Sequence, residues 1–518
     1  MGCCEFREET ANINQQKSPP KKANTKGKYR KQNHSNLQRK STSQPESLKI
    51  RTKSAGINRA KFIKTVPKAI TENFIIIKKL ETGLFGDNKL AIDKRNNCQR
   101  LIKEIKKSLI NPKLEAKGWK EVNKLLELDH PHIAKVYEIV KSQDKIYFIF
   151  ESLMGGNVFD RIIDGQINEY YASAYISDIL GAMKYYHGRG IVHRNIRLEN
   201  LVFESKSKDA IIKIMDFELP PGVCDLLTSQ MDTLHYISPE MIQGKFSRTS
   251  SDIWSLGVVL YLMLTGRPPF IGKTSAELAK KIKQGLILSD ELFREYSPKV
   301  KDLLKKMLEV DCTRRITAAD ALNHPWILEN SKLNKKASRN EEAITQVSKF
   351  RAQTVIEKSI FTFIVSQFSD IAEEKEYIEI FKSLDSNNDG IISKAELIDK
   401  CKVLALEDIG EVEEILESCD IDGSGDIEYS EFILAATNWN EAAQVEKLRK
   451  AFNLYDKSGD GQLSLEELIE AVPGIEPSEW QKFFKEADVN NDGSLSFDEF
   501  KKFLLREMKS DPVKFRAK

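Results

Sequence analysis

The chain has 518 residues, 41% of them hydrophobic and 30% charged, so it is long enough for two or three domains that each bury a core. The longest apolar run, Leu256 to Leu264, is about half of the roughly 18 residues that a membrane-spanning helix needs, and no such helix is expected. Seven cysteines are scattered without metal-type spacing and no apolar leader follows the first methionine, so a reducing, intracellular setting is expected.

The net charge of +3 conceals a basic segment near the start of the chain. Residues 17–68 contain 16 Lys and Arg against one acidic residue, Glu46, and the rest of the chain is therefore net acidic. The segment has few large apolar residues, so burial cannot offset the entropy cost of ordering it. We predict that residues 1–70 form a disordered basic arm.

A lipidation pattern precedes this arm. The chain begins MGCC, in which Gly2 is a candidate for myristoylation and Cys3 and Cys4 are candidates for palmitoylation. Two acyl chains, or one chain with a polybasic patch, hold a protein stably on a membrane. Phe6 departs from the preferred Ser or Thr, which leaves a solvated tail or a nucleic-acid-binding arm as alternatives. We expect a cytoplasmic protein attached peripherally to the inner face of a membrane through its lipids, and no nucleic-acid partner.

The middle of the chain carries a series of short motifs. Residues 78–94 predict a strand, a glycine turn and a second strand, and a strand containing LIKEIKK follows. WKEVNKLLELDHPHI predicts an amphipathic helix with an apolar face. Further on come HRNIRLEN, MDFEL, ISPE, SDIWSLGV and RRITAADALNHPW, which ends near Trp326. In this order and spacing the segments resemble the protein kinase fold.

The resemblance implies a role for particular residues in binding ATP and magnesium and in phosphoryl transfer. Lys103 would contact the nucleotide phosphates and Glu121 would hold Lys103. Asn200 and Asp216 would bind the metal, while Arg197 keeps a positive charge where the family has lysine. The remaining residues implied at the nucleotide are Gly83, Gly86, Glu151 and Leu153.

Several positions depart from the kinase pattern. Asn195 stands where the catalytic loop normally carries the aspartate that orients the acceptor hydroxyl, and an amide does not accept a proton as a carboxylate does. Glu218 replaces the glycine after Asp216 and Phe217, which adds negative charge beside the phosphates. The other departures around the pocket are Glu81, Asn88, Leu101, Asn157 and Asp232.

A basic, amphipathic stretch follows, AITQVSKFRAQTVIEKSIFTFIVSQF, within residues 328–374. Its apolar residues fall at helical spacings and it carries Lys349, Arg351 and Lys358. Such a stretch resembles a calmodulin-target helix. We therefore predict that it binds, within the same chain, the calmodulin-like segment described next. A linker helix that simply packs is the alternative.

A twelve-residue pattern then recurs, beginning at Asp385, Asp420, Asp456 and Asp488. Each copy places oxygen-bearing side chains at positions 1, 3, 5 and 9, glycine at 6 and glutamate at 12, as a calcium-binding EF-hand loop requires. Position 7 supplies a backbone carbonyl. The predicted ligands are Asp385, Asn387, Asp389, Ile391, Ser393 and Glu396 in loop 1; Asp420, Asp422, Ser424, Asp426, Glu428 and Glu431 in loop 2; Asp456, Ser458, Asp460, Gln462, Ser464 and Glu467 in loop 3; and Asp488, Asn490, Asp492, Ser494, Ser496 and Glu499 in loop 4.

A kinase domain, an amphipathic junction and four EF-hands together resemble the calcium-dependent protein kinases of plants and protists. The resemblance implies an α+β chain, in which a bilobal protein-kinase fold precedes an all-α, calmodulin-like domain of four EF-hands. It divides the chain into a basic arm (1–70), a kinase-like domain (71–327), a junction (328–374), EF-hands in two pairs (375–508) and a tail (509–518). In the family, the junction blocks the kinase domain until calcium binds.

Three functions are compatible with this organisation. The chain is either a calcium-switched serine/threonine kinase of reduced rate or a pseudokinase whose switch acts on a partner. The third alternative is a membrane-tethered calcium sensor that works only through partner binding. Calcium is expected as a ligand in all three, and magnesium and ATP only if the kinase pocket still binds nucleotide. The sequence does not identify the protein substrate or a partner kinase.

Overall fold

The computed structural model describes residues 62–506, apart from 67–68, 83–86, 111–112, 114, 166, 218–233, 246–247, 290, 332–346, 348–354, 369–370, 404–408, 438, 440–441 and 473–474. All of these residues belong to one compact unit, Lys53–Lys518. Most of the predicted arm, including the acylation candidates, and the tail lie outside the described residues. No described helix is both long enough and apolar enough to cross a bilayer.

A six-stranded sheet forms the amino-terminal lobe, in the order β1-β5-β6-β4-β3-β2. Strand β1 runs parallel to β5, and the other neighbouring strands are antiparallel. The predicted strand, turn and strand correspond to β2 and β3, and LIKEIKK lies in β4. The strands are β1 (Lys64–Val66), β2 (Phe74–Thr82), β3 (Asp87–Asp93), β4 (Cys98–Lys106), β5 (Val136–Lys141) and β6 (Lys145–Phe150), and helices α1 (Ile70–Asn73) and α2 (Glu115–Leu126) accompany them.

The second lobe is helical and surrounds a short hairpin, β7 (Leu201–Phe203) with β8 (Ile212–Ile214). Its central helix α6 (Thr249–Thr265) is apolar on almost every side, which explains why it is buried in the core of the lobe. Gly266 ends α6 in the left-handed region, at φ 66°. The other helices are α3 (Val158–Ile163), α4 (Glu169–Gly188), α5 (Pro239–Ile242), α7 (Ser275–Gln284), α8 (Pro298–Met307), α9 (Ala318–Leu322) and α10 (Pro325–Ser331).

The carboxyl-terminal part is built from helices that flank the four repeated loops. The predicted junction contains α11 (Val355–Phe368), whose side chains are buried in the same apolar cluster as the helices that follow. Two short strands, β9 (Gln462–Leu463) and β10 (Leu495–Ser496), pair loops 3 and 4. The helices are α12 (Ile371–Leu384), α13 (Lys394–Val403), α14 (Ile409–Cys419), α15 (Tyr429–Ala436), α16 (Ala442–Tyr455), α17 (Leu465–Ala471), α18 (Pro477–Ala487) and α19 (Phe497–Arg506).

Candidate functional site

The catalytic-loop segment HRNIRLEN connects α4 to β7 and is held by a buried carboxylate. Asp252, only 1% exposed, accepts hydrogen bonds from the backbone N–H groups of His193 and Arg194, each at 2.9 Å. Arg194 adopts a left-handed conformation with φ 68°. Burial lowers the pKa of His193 to about 4, so its ring is neutral at physiological pH. The backbone frame of the loop is therefore intact.

Asn195 lies within this frame, but its side chain acts as a donor. Its amide nitrogen donates to the Asp216 carbonyl oxygen at 3.3 Å. The amide of Asn200 in turn donates to the Asn195 carbonyl oxygen at 2.7 Å. Because an amide nitrogen has no basic lone pair at neutral pH, this arrangement supplies no general base.

The predicted phosphate and metal residues come together only in part. Lys103 Nζ lies 2.6 Å from Asp216 Oδ1, and Asp216 has a left-handed φ of 67°. Glu121 lies 3.2 Å from Lys124, on its own helix. At this distance the Lys103 ammonium group and the Asp216 carboxylate attract each other strongly.

Arg197 is also engaged within the catalytic loop. Its guanidinium makes two hydrogen bonds to the Glu199 carboxylate, at 2.7 and 2.8 Å. This bidentate geometry is the one that arginine favours and lysine cannot form. The positive charge predicted to face the phosphates is therefore partly neutralised by a neighbour two residues away.

An apolar cluster lies where the two lobes meet. Leu101 faces Phe150 across the β4–β6 ladder and is 6% exposed, and Leu153 is equally buried. The remaining members are Ala134 from the loop before β5, Val202 from β7 and Met215, which follows β8. Glu151, also predicted at the nucleotide, is not a member of this cluster, and its side chain accepts hydrogen bonds from the Lys135 backbone N–H and the Lys213 ammonium group. Gly83, Gly86, Glu218 and Asp232 lie outside the described residues, as does the side chain of Glu81.

Loops 1 and 2 bring their acidic ligands together. In loop 1 oxygen atoms of Asp385, Asp389 and Glu396 lie within 4.8 Å of one another, and in loop 2 those of Asp420, Asp422 and Glu431 do the same. Hydrogen bonds of 2.9 Å between the backbones of Ile392 and Ile427 join the two loops. Burial raises the pKa of Asp385 to about 7 and also raises that of Glu431. Calcium prefers oxygen ligands, and a cation bound here would stabilise the ionised form of these clustered carboxylates. The donor set of loops 1 and 2 therefore fits a calcium ion.

Loops 3 and 4 lie in more open surroundings. Glu467 and Glu499 accept backbone N–H bonds from the start of their own loops, such as 2.9 Å from Lys457 and 3.1 Å from Val489. Although slight burial opposes it, hydrogen bonds from Ser464 and Ser458 lower the pKa of Glu467 to about 2. These glutamates are therefore ionised at neutral pH and have the oxygen atoms that position 12 must supply.

The first pair of loops contacts the kinase domain directly. Lys184 donates to the Asn387 amide oxygen at 2.9 Å, and Arg189 donates to Glu428 at 2.9 Å. In loop 1 a side-chain carbon on Gly390 would lie 2.6 Å from the ring of His130, so only glycine fits between the loop and the kinase surface. Nothing in the local sequence of α4 indicates these contacts.

The junction helix α11 lies between the two EF-hand pairs. Phe361 packs on Trp439 with ring centroids 4.4 Å apart, and Phe363 packs on Tyr455 at 4.9 Å. Its end contacts the kinase domain, where Arg100 donates to the Gln367 carbonyl at 3.2 Å. The described part of the junction is thus enclosed as a target helix would be.

The fold and site together define a protein kinase domain followed by paired EF-hands. The family model for the protein kinase domain matches residues 74–327, and the model for an EF-hand domain pair matches residues 374–437 and 445–505. Calcium-dependent protein kinase 4 of Plasmodium berghei is 34% identical over 509 residues, covering 94% of this chain and 96% of that protein. Its counterpart in Plasmodium falciparum is 35% identical over 468 residues, covering 86% and 88%. Calcium-dependent protein kinase 5 of Plasmodium falciparum is 32% identical over 440 residues, covering 82% and 76%.

The chain belongs to the calcium-dependent protein kinase family. The predicted family and fold class are confirmed, and the EF-hands imply calcium binding. The domain limits and the individual site residues stay predictions. Lys135 and Lys213, which bind Glu374 of α12, were not predicted from the sequence. For Lys213, its place within the apolar run IIKIM was the available signal.

Proposed function

We propose that this protein keeps the calcium switch of its family but transfers phosphate weakly or not at all. The observation that carries the proposal is Asn195, whose amide donates to Asp216 where the family has a carboxylate base. Loss of general-base assistance is worth about 10² to 10⁴ in rate, or about 3 to 5 kcal/mol. That loss alone leaves a slow enzyme, because the loose transition state of phosphoryl transfer asks little of the base.

A second feature acts on nucleotide binding. Leu101 is packed into the buried cluster with Phe150 and Leu153, at the wall where the adenine would bind by resemblance to the family. A nucleotide has to displace these contacts before it can enter. Impaired binding and impaired chemistry therefore act together.

Other residues favour a slow kinase as the second candidate. Lys103, Asn200 and Asp216 are retained, and Asn200 and Asp216 lie on either side of Asn195 with oxygen atoms that suit magnesium. ATP and magnesium, when bound, would supply the phosphoryl group and screen its charge. Because the kinase match spans residues 74–327, we do not favour a sensor whose kinase half is idle.

The switch is proposed to act through the junction. Helix α11 is buried by both EF-hand pairs, so calcium-driven rearrangement of either pair changes its surroundings. In this proposal calcium loading relieves inhibition of the kinase domain by the junction, and the output is control of a partner or a substrate protein.

Membrane attachment is a separate proposal. It rests on Gly2, Cys3 and Cys4 next to a basic arm, because two acyl chains with a polybasic patch anchor a protein stably. Replacing Gly2 with Ala is expected to move the protein from the membrane fraction to the soluble fraction. Unchanged fractionation would contradict the proposal.

The decisive experiment measures magnesium-nucleotide binding and phosphate transfer on one purified protein, with and without calcium. The unaltered chain is expected to show no calcium-stimulated transfer, whereas Asn195→Asp combined with Leu101→Ala is expected to gain it. Transfer by the unaltered chain that rises with calcium and disappears in Asp216→Ala would establish the slow kinase instead.

A further inference from the structure

Four charged side chains are buried together between the kinase domain and the first EF-hand pair. Lys135 precedes β5, Lys213 lies in β8 and Glu151 follows β6, while Glu374 is carried by α12. Their side chains are at most 11% exposed. Glu374 Oε1 lies 2.9 Å from Lys135 Nζ and 3.1 Å from Lys213 Nζ. Lys213 Nζ also lies 2.9 Å from Glu151 Oε2.

The charges balance only when the EF-hand part contributes. The kinase domain supplies two ammonium groups and one carboxylate to the cluster, and Glu374 supplies the second carboxylate. A buried charge without a partner is strongly unfavourable, so removing one member of such a cluster destabilises the rest. Burial opposes its ionisation, but Lys135 and Lys213 lower the pKa of Glu374 to about 2, which keeps it charged at neutral pH.

The cluster reaches the nucleotide pocket through two short backbone segments. Glu151 and Lys135 exchange hydrogen bonds, with the Lys135 N–H donating to Glu151 Oε1 at 2.7 Å and the Glu151 N–H donating to the Lys135 carbonyl at 3.0 Å. Leu153 follows Glu151 by two residues, and Met215 follows Lys213 by two. Both belong to the apolar cluster at the pocket wall.

We infer that Glu374 is a positioning residue for the nucleotide pocket, acting through Lys213 and Glu151, so that seating of the first EF-hand pair sets the geometry of the hinge, residues 149–153 at the end of β6. The inference rests on the proposed function, in which the calcium-binding part controls the kinase domain. The buried charge cluster would be the physical connection through which a conformational change in the EF-hands alters the nucleotide pocket.

The test is hydrogen exchange on the full chain in which Glu374→Gln removes the charge at nearly constant size. Amides of residues 149–153 and 211–216 are expected to exchange about tenfold faster than in the unaltered protein, because the hinge loses its charge balance. Amides of α6 are expected to be unchanged. Glu379→Gln, on the exposed side of the same helix, is the matched control and is expected to have no effect.

A double variant separates charge balance from packing. Lys135→Gln together with Glu374→Gln removes one cation and one carboxylate and leaves Lys213 paired with Glu151. Exchange at 149–153 is expected to return to the unaltered rate, which also serves as the test if Glu374→Gln alone does not fold. Unchanged exchange in Glu374→Gln, or a double variant about tenfold faster than the unaltered chain, would overturn the inference.

Neither measurement uses nucleotide or phosphate transfer. Calcium-stimulated transfer by the unaltered chain would therefore establish the slow kinase rather than the inactive one, while leaving the exchange result to decide the role of Glu374.

Discussion

The two EF-hand pairs carry the same ligand pattern in different surroundings. Loops 1 and 2 lie against the kinase domain, where Asn387 and Glu428 accept bonds from Lys184 and Arg189. Loops 3 and 4 lie away from those contacts, and burial, which raises the pKa of Glu467, is outweighed there by hydrogen bonds from Ser464 and Ser458. The sequence pattern of a loop therefore specifies its calcium ligands, whereas the effect of calcium binding on the rest of the protein depends on what the loop contacts.

The largest expected effect comes from removing a core aromatic ring of either pair. Phe381 is 1% exposed and contacts Tyr429 and Phe432, whereas Phe500 is fully buried against Phe452. Each change to Ala is expected to cost about 3 to 5 kcal/mol in the stability of its own pair. Chemical denaturation monitored by hydrogen exchange measures both.

The two variants are expected to differ in their effect on the kinase domain. Phe381→Ala is expected to accelerate exchange in α4, because the first pair leaves the kinase surface, while Phe500→Ala leaves α4 unaffected. Equal acceleration of α4 by both variants would show that the pairs are not distinct in this respect.

Acid is expected to weaken the contact between α12 and the kinase domain. The pKa of Glu374 is lowered to about 2 in the folded chain, so its stabilising contribution is present above its ordinary pKa and is lost as pH falls from about 5 to 2. The loss is of the order of 1 to 3 kcal/mol. Pulsed hydrogen exchange across this pH range measures protection of α12 against that of α18.

The control for the acid effect is Glu374→Gln, which has no charge to lose. In that variant the difference between α12 and α18 should become less dependent on pH. A profile identical to that of the unaltered chain would assign the acid sensitivity to other carboxylates.

Removing the position-12 glutamate is expected to weaken one calcium site in each pair by about tenfold or more, since a bidentate ligand is lost. Calorimetric titration of Glu431→Gln and Glu467→Gln measures this. Because Glu431 is 5% exposed and lies beside the kinase contact, its variant should also change exchange in α4. Titrations indistinguishable from that of the unaltered chain would contradict calcium binding at these loops.

The smallest expected effect is that of Arg189→Gln. The Arg189 side chain is 37% exposed, and a partly solvated ion pair is worth about 0 to 1 kcal/mol. The variant should shift calcium binding by loops 1 and 2 slightly and leave loops 3 and 4 unchanged. A change in calcium binding confined to loops 3 and 4 would contradict the expectation that only the first EF-hand pair is affected by its contact with the kinase domain.

The elements that could be predicted from the sequence are those formed by residues that lie close together along the chain. Each calcium loop places its ligands within twelve residues, so the spacing alone predicts the ligand set. The strands around Lys103 and the catalytic loop around Asn195 were predicted in the same way. The pairing of Lys103 with Glu121 stays a prediction, and the contact of Lys103 with Asp216, which is distant in sequence, was not predicted.

The sequence alone was enough to identify the family, to predict the ligands of the four calcium loops and to show that Asn195 replaces the catalytic carboxylate, since these depend on which residues are present and on short spacings. The contacts of the first EF-hand pair with the kinase domain and the pairing of the buried charges were seen only in the folded chain. Glu374 meets Lys213 across 161 residues and Lys135 across 239. A local sequence pattern cannot predict these contacts, because the surfaces that bury and pair the charges form only when the chain folds.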